Sequence, residues 1–417
     1  HSETATEKMR LVSSANGILQ LKGNFPALSM LSGGEQQLNF SDAGNATESG
    51  IKNNAGTMKF YGSNSAANFR MILDDNSRIS LSNNTGFDNG TSNTVFGKSV
   101  GTIASGTSYN TFIGDQVASS ATLSSSTDNT AIGYYSLNAL TTGDKNVSIG
   151  STALRVMASG SHNVGIGHDV IKVSTANKYL TVVGAEALAH ATDWANDGTV
   201  AIGYKAAYEK VASGSQYTGA SVHIGYASAA TQTTGTNNTS VGHGTMGGLV
   251  GGTALTGSNN TVMGYSAGYA MSGASSSNTL VGSNSGLAIT TSSNNVAIGH
   301  DSFKAVVDAC NSNVAIGVQA MTAVDRGSDG SATVNGNVAV GYNALAGGDF
   351  VSSDKDLVGN IAIGKNTLDA TGANAQTGTI AIGHEALTSL TTGSENTAIG
   401  YLAGWKATTA NYNTAVG

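Results

Sequence analysis

Cysteine is almost missing from this chain: of 417 residues one is Cys and one is Pro, only 11% are charged and 6% are aromatic. The lone Cys310 excludes a disulfide framework and an intrachain thiolate metal cluster. No apolar run approaches the roughly 18 residues that span a bilayer, and no basic start with an apolar core marks a signal peptide. Charge is scarce in both signs, 19 Lys and Arg against 26 Asp and Glu, and no block of Lys or Arg supplies phosphate contacts. Neither nucleic-acid binding nor membrane insertion is expected. The chain opens on His1 and stops on a repeat unit, which is the expectation for a fragment or a processed piece.

What fills the sequence is Gly, Ser, Thr and Asn, with 56 Gly. Such a composition also suits a disordered low-complexity tract, but periodicity argues against that. One pentapeptide returns throughout: NTAIG at 129, NVSIG at 146, NVGIG at 163, and onward to NTAIG at 396 and NTAVG at 413. Eighteen copies end in glycines that include Gly133, Gly150, Gly203, Gly299, Gly364 and Gly400, spaced 17 to 24 residues apart. Seventeen is the floor, and longer intervals are insertions.

Within each unit the third residue before Gly is β-branched (Thr130, Val147, Val200), and the residue just before Gly is apolar (Ile132, Ile149, Ile202, Ile399). These two share one face of a strand, and the usually small residue between them (Ala131, Ser148, Gly165) points to the other. The sequence predicts that the β-branched and Ile positions stack into a continuous buried core, and that the small position allows close approach of another layer. Asn opens fourteen of eighteen units, the exceptions being Leu180, Thr199, Ser221 and Thr379, which suggests either a turn or a stacked amide ladder. After the Gly a Tyr or His is common, then Ala and Leu, as in YYSLNAL at 134, which is read as a second short strand. A Gly-containing polar turn leads back to the next Asn. The fold class is therefore all-β: a β-solenoid or β-roll shaft of about eighteen coils over residues 91–417, preceded by a smaller antiparallel β region over 1–90. An α-helical solenoid is opposed by a glycine in every coil and by the period-two pattern.

Residues 1–90 lack the pentapeptide. EKMRLV, SSANG and ILQL predict a hairpin with Asn16-Gly17 at its turn, NFRMILDDNSRISL at 68–81 predicts another, and TMKFYGSN at 57–64 supplies a preceding arm.

The Tyr/His slot (Tyr134, His168, Tyr204, Tyr226, His243 and their counterparts) suits an aromatic ladder, because Tyr does not replace His as a zinc ligand, so no metal and no cofactor is expected. Asp74 with Asp75, Asp325 with Asp329, and Asp354 with Asp356 are the carboxylate pairs, each in a turn or insertion. No GxSxG elbow, phosphate loop or calcium loop is present, and no catalytic residue is expected. The insertions at 185–199, 205–220, 245–259, 321–337 and 345–360 are the better candidates, and Trp194, Tyr217 and Phe350 within them are candidate receptor-binding residues, since aromatic faces stack on apolar surface.

The long series of NTAIGYxAL-like units, preceded by GTMKFYGSNSAANFRMILDDNSRISL and EKMRLVSSANG, resembles the distal tail fibres of tailed bacteriophages. The pentapeptide array over 93–417 is also similar to the heads of trimeric autotransporter adhesins, whose repeat is shorter. The first resemblance covers nearly the whole chain. It implies a parallel homotrimer, with the small-residue face of each coil meeting its neighbours around a threefold axis. It also implies a place in the virion beside other tail-fibre proteins, contact with a host surface glycan or protein, and a chaperone segment beyond Gly417. A polysaccharide-cleaving spike is the third reading.

Overall fold

The computed structural model describes residues 92–417 apart from position 98 and short segments at 102–105, 121, 191–195, 211–219, 249–252, 306–309, 325–332, 348–355 and 372–374, together with five strands between residues 36 and 80. The chain divides into two compact units, His1–Ser80 and Leu81–Gly417.

In the first unit Gln36–Phe40, Ser49–Asn54, Thr57–Tyr61, Phe69–Leu73 and Ile79–Ser80 form an antiparallel meander in sequence order. Within the expected arm at 57–64 and hairpin at 68–81 the described strands Thr57–Tyr61, Phe69–Leu73 and Ile79–Ser80 pair antiparallel, with Met58 opposite Leu73 and Leu73 opposite Ile79. The hairpin at Asn16-Gly17 lies outside the described residues.

The second unit is a parallel β-solenoid. Eighteen three-residue strands, from Thr94–Phe96 to Thr414–Val416, pair in sequence order, each coil contributing one. Registration is strict: Val147 lies against Val164 and Val164 against Thr181, so like residues form columns along the axis. Three residues cannot hold a strand alone, but each is bonded to the coil before and the coil after, as Thr130 N–H donates to Asn146 O at 2.8 Å and Gly133 N–H to Ile113 O at 2.9 Å.

Glycine closes each strand for two reasons. At Gly299 the backbone is left-handed, with φ of 133°, and a Cβ there would sit 2.5 Å from the carbonyl oxygen of Gly317 in the next coil. Only a residue without a side chain lets the coils stack at this corner.

The segment after the glycine is not the second strand that the sequence predicts. It is a run of turns in which alternate residues are left-handed: Tyr135 (φ 56°) and Leu137 (φ 46°), Thr152 (φ 58°) and Leu154 (φ 49°). The alternation sends the amides of these residues in opposite directions along the axis. Tyr135 N–H donates back to Asp115 O at 3.1 Å, and Leu137 N–H donates forward to Ala153 O at 3.0 Å. A left-handed Leu costs on the order of 1 kcal/mol, which the two axial hydrogen bonds and the burial of the Leu side chain offset. Elsewhere in the coil Val334–Asn335, Leu357–Val358 and Gln376–Thr377 make a smaller parallel sheet just before the Asn.

The core also departs from expectation. It is the middle residue of each strand that points inward: Ala131, Ala201, Ala297 and Ala381 are fully buried, whereas the flanking β-branched and Ile positions lie on the outer face. The layer that meets the small residue is the opposite wall of the same coil, not a neighbouring chain. A Cβ on Gly165 would lie 2.9 Å from Cγ of Leu154. Volume is shared across that gap: where the wall carries Gly268 and Gly286, the strand carries Leu280, whose Cδ1 would lie 3.1 Å and 2.9 Å from a Cβ on those glycines. Core density is thus kept by exchanging a large residue between facing positions.

Candidate functional site

Inside the coil the opening Asn residues form an amide ladder. Asn146 donates its backbone N–H and its Nδ2–H to Oδ1 of Asn129, each at 3.0 Å, and its own Oδ1 accepts the same pair from Asn163 at 3.0 Å. The second Nδ2 hydrogen goes to a turn carbonyl of the next coil, Gly160 O at 2.8 Å. A fully buried carboxamide is satisfied in this way, and the same pattern recurs from Asn260 to Asn360. Of the two readings the sequence allowed, the structure has the ladder. It lapses at Leu180, Thr199, Ser221 and Thr379, and the Oγ1 atoms of Thr199 and Thr379 have no partner.

Outside the coil the same strands present two columns. One runs through Thr130, Val147, Val164, Val200 and Val296, the other through Ile132, Ile149, Ile166, Ile202, Ile298 and Ile399. No position of either column is charged in any of the eighteen strands. Ile202, Ile298, Ile316 and Ile399 are 36–41% exposed, and Ile132 and Ile149 are half-buried. At about 4.8 Å per rung the face is about 80 Å long, and at about 10 Å wide it offers roughly 800 Å². Half of the first column is Thr, so the face is uncharged and of mixed polarity, and its area equals one partner's share of a standard protein interface.

A third column follows the glycines. Tyr204, Tyr226, His243 and Tyr265 stack with ring centroids 5.3, 4.9 and 5.3 Å apart, and His384 stacks on Tyr401 at 5.4 Å. The aromatic ladder expected of the Tyr/His slot is present in these coils. Tyr134 instead meets its neighbour Tyr135 edge-on at 4.4 Å. Beside the stack Lys205 lies 5.3 Å from the centre of the Tyr204 ring and 4.8 Å from that of Tyr208, and pairs with Glu186 at 3.5 Å.

Two ion pairs repeat one motif, His-Asp-x-x-Lys, at 168–172 and 300–304. Lys172 Nζ lies 3.1 Å from Asp169 and Lys304 Nζ 3.0 Å from Asp301. Burial works to raise both carboxyls, but hydrogen bonds outweigh it and hold them below the usual range: from Thr152 and then Lys172 on Asp169, from Asn284 and then Lys304 on Asp301.

Gly133, Gly150, Gly203, Gly299, Gly364 and Gly400 all fall in the corner column, with φ between 128° and 139°. Trp194, Tyr217 and Phe350 lie outside the described residues, as do Asp74, Asp75, Asp325, Asp329 and Asp354. Among the described residues no three His, Cys, Asp or Glu side chains cluster to hold a metal, and no helix is long and apolar enough to cross a membrane. One internal cluster was not foreseen: Lys210 is 2% exposed and His223 fully buried. A His at a strand position elsewhere filled by small or apolar residues was its only trace in the sequence.

The fold and its columns make the second unit a parallel β-solenoid with an uncharged outer sheet face. Compared with known proteins, the chain matches no family model, no curated protein and no solved structure.

Proposed function

We propose that the chain is a structural fibre shaft of a bacteriophage tail, part of the virion, that assembles as a parallel homotrimer and carries host-receptor contacts on its insertions. The observation that carries this reading is the uncharged outer face, repeated on all eighteen strands. A straight column of that kind is complementary to a second copy of itself in parallel register, because identical rungs recur at identical spacing. The interface in this reading is the β-branched and Ile face; the small residues are already buried within their own coil. Residues 7–17 and 57–81, which resemble tail-fibre segments outside the repeat, favour the viral setting over a bacterial adhesin. In this reading the shaft transmits contact between the virion and the host surface.

The test is the mass in solution together with adsorption. Light scattering is expected to give three times the 41.7 kDa of one chain. Ile298→Asp with Ile316→Asp, both outward-facing, should leave the coil folded and yield single chains. A monomeric parent, or a trimer indifferent to the paired aspartates, removes the proposed interface. On a panel of bacterial strains the parent should adsorb to a subset, and Trp194→Ala, Tyr217→Ala or Phe350→Ala should weaken that adsorption. Release of reducing ends from host glycan would favour a cleaving spike instead.

A further inference from the structure

Three separate features of the shaft coincide over a few coils. The buried apolar side chains form two clusters, one ending at Ala207 and the other beginning at Ala229. The Asn ladder lapses at Leu180, Thr199 and Ser221, and resumes at Asn238. Between the two cores lies a buried polar set: Lys210, Ser221, His223, Ser228, Gln232 and Ser240.

Lys210 takes over the role of an absent Asn. Its Nζ donates to Gly235 O at 3.0 Å and to Ser221 Oγ at 3.3 Å. In an intact rung that turn carbonyl receives an Asn Nδ2, as Gly257 O does from Asn238 at 2.9 Å. The hydrogen bond is restored, but by a cation on a flexible stem inside the coil. His223 occupies the inward strand position that holds Ala201 in the coil before and Ser240 in the coil after. Its Nδ1 bonds Ser240 Oγ at 2.9 Å, while Nε2 and Oε1 of Gln232 have no partner. Among the described residues the polar side chains bonded to these two bases are neutral, Ser221 on Lys210 and Ser240 on His223, and Ser240 is bonded in turn to Ser228. Lys210 supplies the charge that acts on His223, and among the described residues no carboxylate contributes to either; Glu209, next in sequence, is half-buried.

We propose that the strands at 200–202, 222–224 and 239–241 mark a parting plane built into the shaft, at which it opens first on acidification into two segments that each stay folded. An opening there breaks no continuous apolar core and no Asn–Asn rung, and it returns two buried bases to water. In a one-dimensional stack the rung with the weakest neighbour coupling opens first.

The direction with pH follows from the two bases. Burial pulls Lys210 down to about 8 from its ordinary 10.5, and burial followed by the Lys210 charge holds His223 well below 6.5. Both side chains therefore bind protons more readily in the open state. For Lys210 the penalty is complete below about 8 and is relieved as pH rises towards 10.5. For His223 it grows as pH falls below 6.5. Acid thus favours opening at this plane.

Hydrogen exchange read by mass spectrometry on the full chain, corrected for intrinsic rates, tests this at about pH 7.5 and about pH 5. Protection of the strands at 200–202, 222–224 and 239–241 is expected to drop by about tenfold or more at the lower pH relative to 147–149 and 296–298. His223→Ala alone should abolish most of that drop, because Lys210 carries its charge throughout this pH window, and the triple change Lys210→Met, Ser221→Asn, His223→Ala should abolish it as well. Should the triple variant fail to fold, the single one decides. Loss spread evenly along the shaft, loss confined to its ends, or an undiminished drop in His223→Ala overturns the proposal.

Discussion

Replacing Asn146 by Ala tests the amide ladder where it is continuous on both sides. Truncation removes the two Nδ2 bonds, to Asn129 Oδ1 at 3.0 Å and Gly160 O at 2.8 Å, and both bonds that Oδ1 accepts from Asn163 at 3.0 Å. The Asn146 backbone N–H still reaches Asn129, so that carboxamide keeps one donor. Two groups are left with no partner from the ladder in a dry interior: the Gly160 carbonyl and the Asn163 N–H. At about 1–3 kcal/mol for each stranded group, the loss comes to about 2–6 kcal/mol. Because each coil couples only to its neighbours, the loss should appear locally, as at least thirtyfold or so faster exchange of the amides at 130–132, 147–149 and 164–166. Strands at 296–298 and 314–316 should be unaffected. Asn146→Thr is the milder control, since Thr199 and Thr379 occupy this position in other coils. If Asn146→Ala exchanges within about threefold of the parent, the ladder is decoration and the columns outside the coil carry the fold.

Leu280→Ala should cost about 2–5 kcal/mol in thermal unfolding, because Gly268 and Gly286 opposite it have no side chain to fill the space. Adding Gly286→Ala should recover part of that loss, since the Cβ then meets no Leu280 methyl and only the flexible end of Ile289, whose Cδ1 at 2.8 Å must move aside, less about 1 kcal/mol for Ala at a φ of 58°. Gly299→Ala should be far worse, about 3 kcal/mol or more, because its Cβ meets backbone that cannot move aside; circular dichroism melts would show it. Lys172→Ala should raise the Asp169 carboxyl towards its ordinary value in a carbon-detected NMR titration. The depressed carboxyl stabilises the fold above the unfolded carboxyl value and loses that contribution as pH falls through the folded one, so the variant should be less acid-sensitive near Asp169.

Much of the rod was legible in residue types whose reason is local. Gly133 and its counterparts mark a corner that no side chain fits, Asn129 and its counterparts mark a self-complementary amide, and the spacing between them measures one turn of the coil. Coil number, strand position and parallel register follow from those marks alone. The site was less legible. The Tyr/His slot was visible as a column, but Lys210 carries no periodic signal, and its importance comes from Ser221 lying one rung away in space and eleven residues away in sequence.

The orientation of each strand was decided only by the folded chain. Period-two alternation separates Ala131 from Thr130 and Ile132 but is the same pattern whichever side faces inward, and hydrophobicity points to the wrong one. The deciding quantity is volume. Leu137 and Leu154, left-handed and hydrogen-bonded along the axis, already fill the interior from the far wall, so small residues such as Ser148 and Gly165 fit opposite them and the larger β-branched and Ile side chains are turned out. A one-dimensional pattern does not contain the width of the coil, and it is that width which leaves the uncharged face outside.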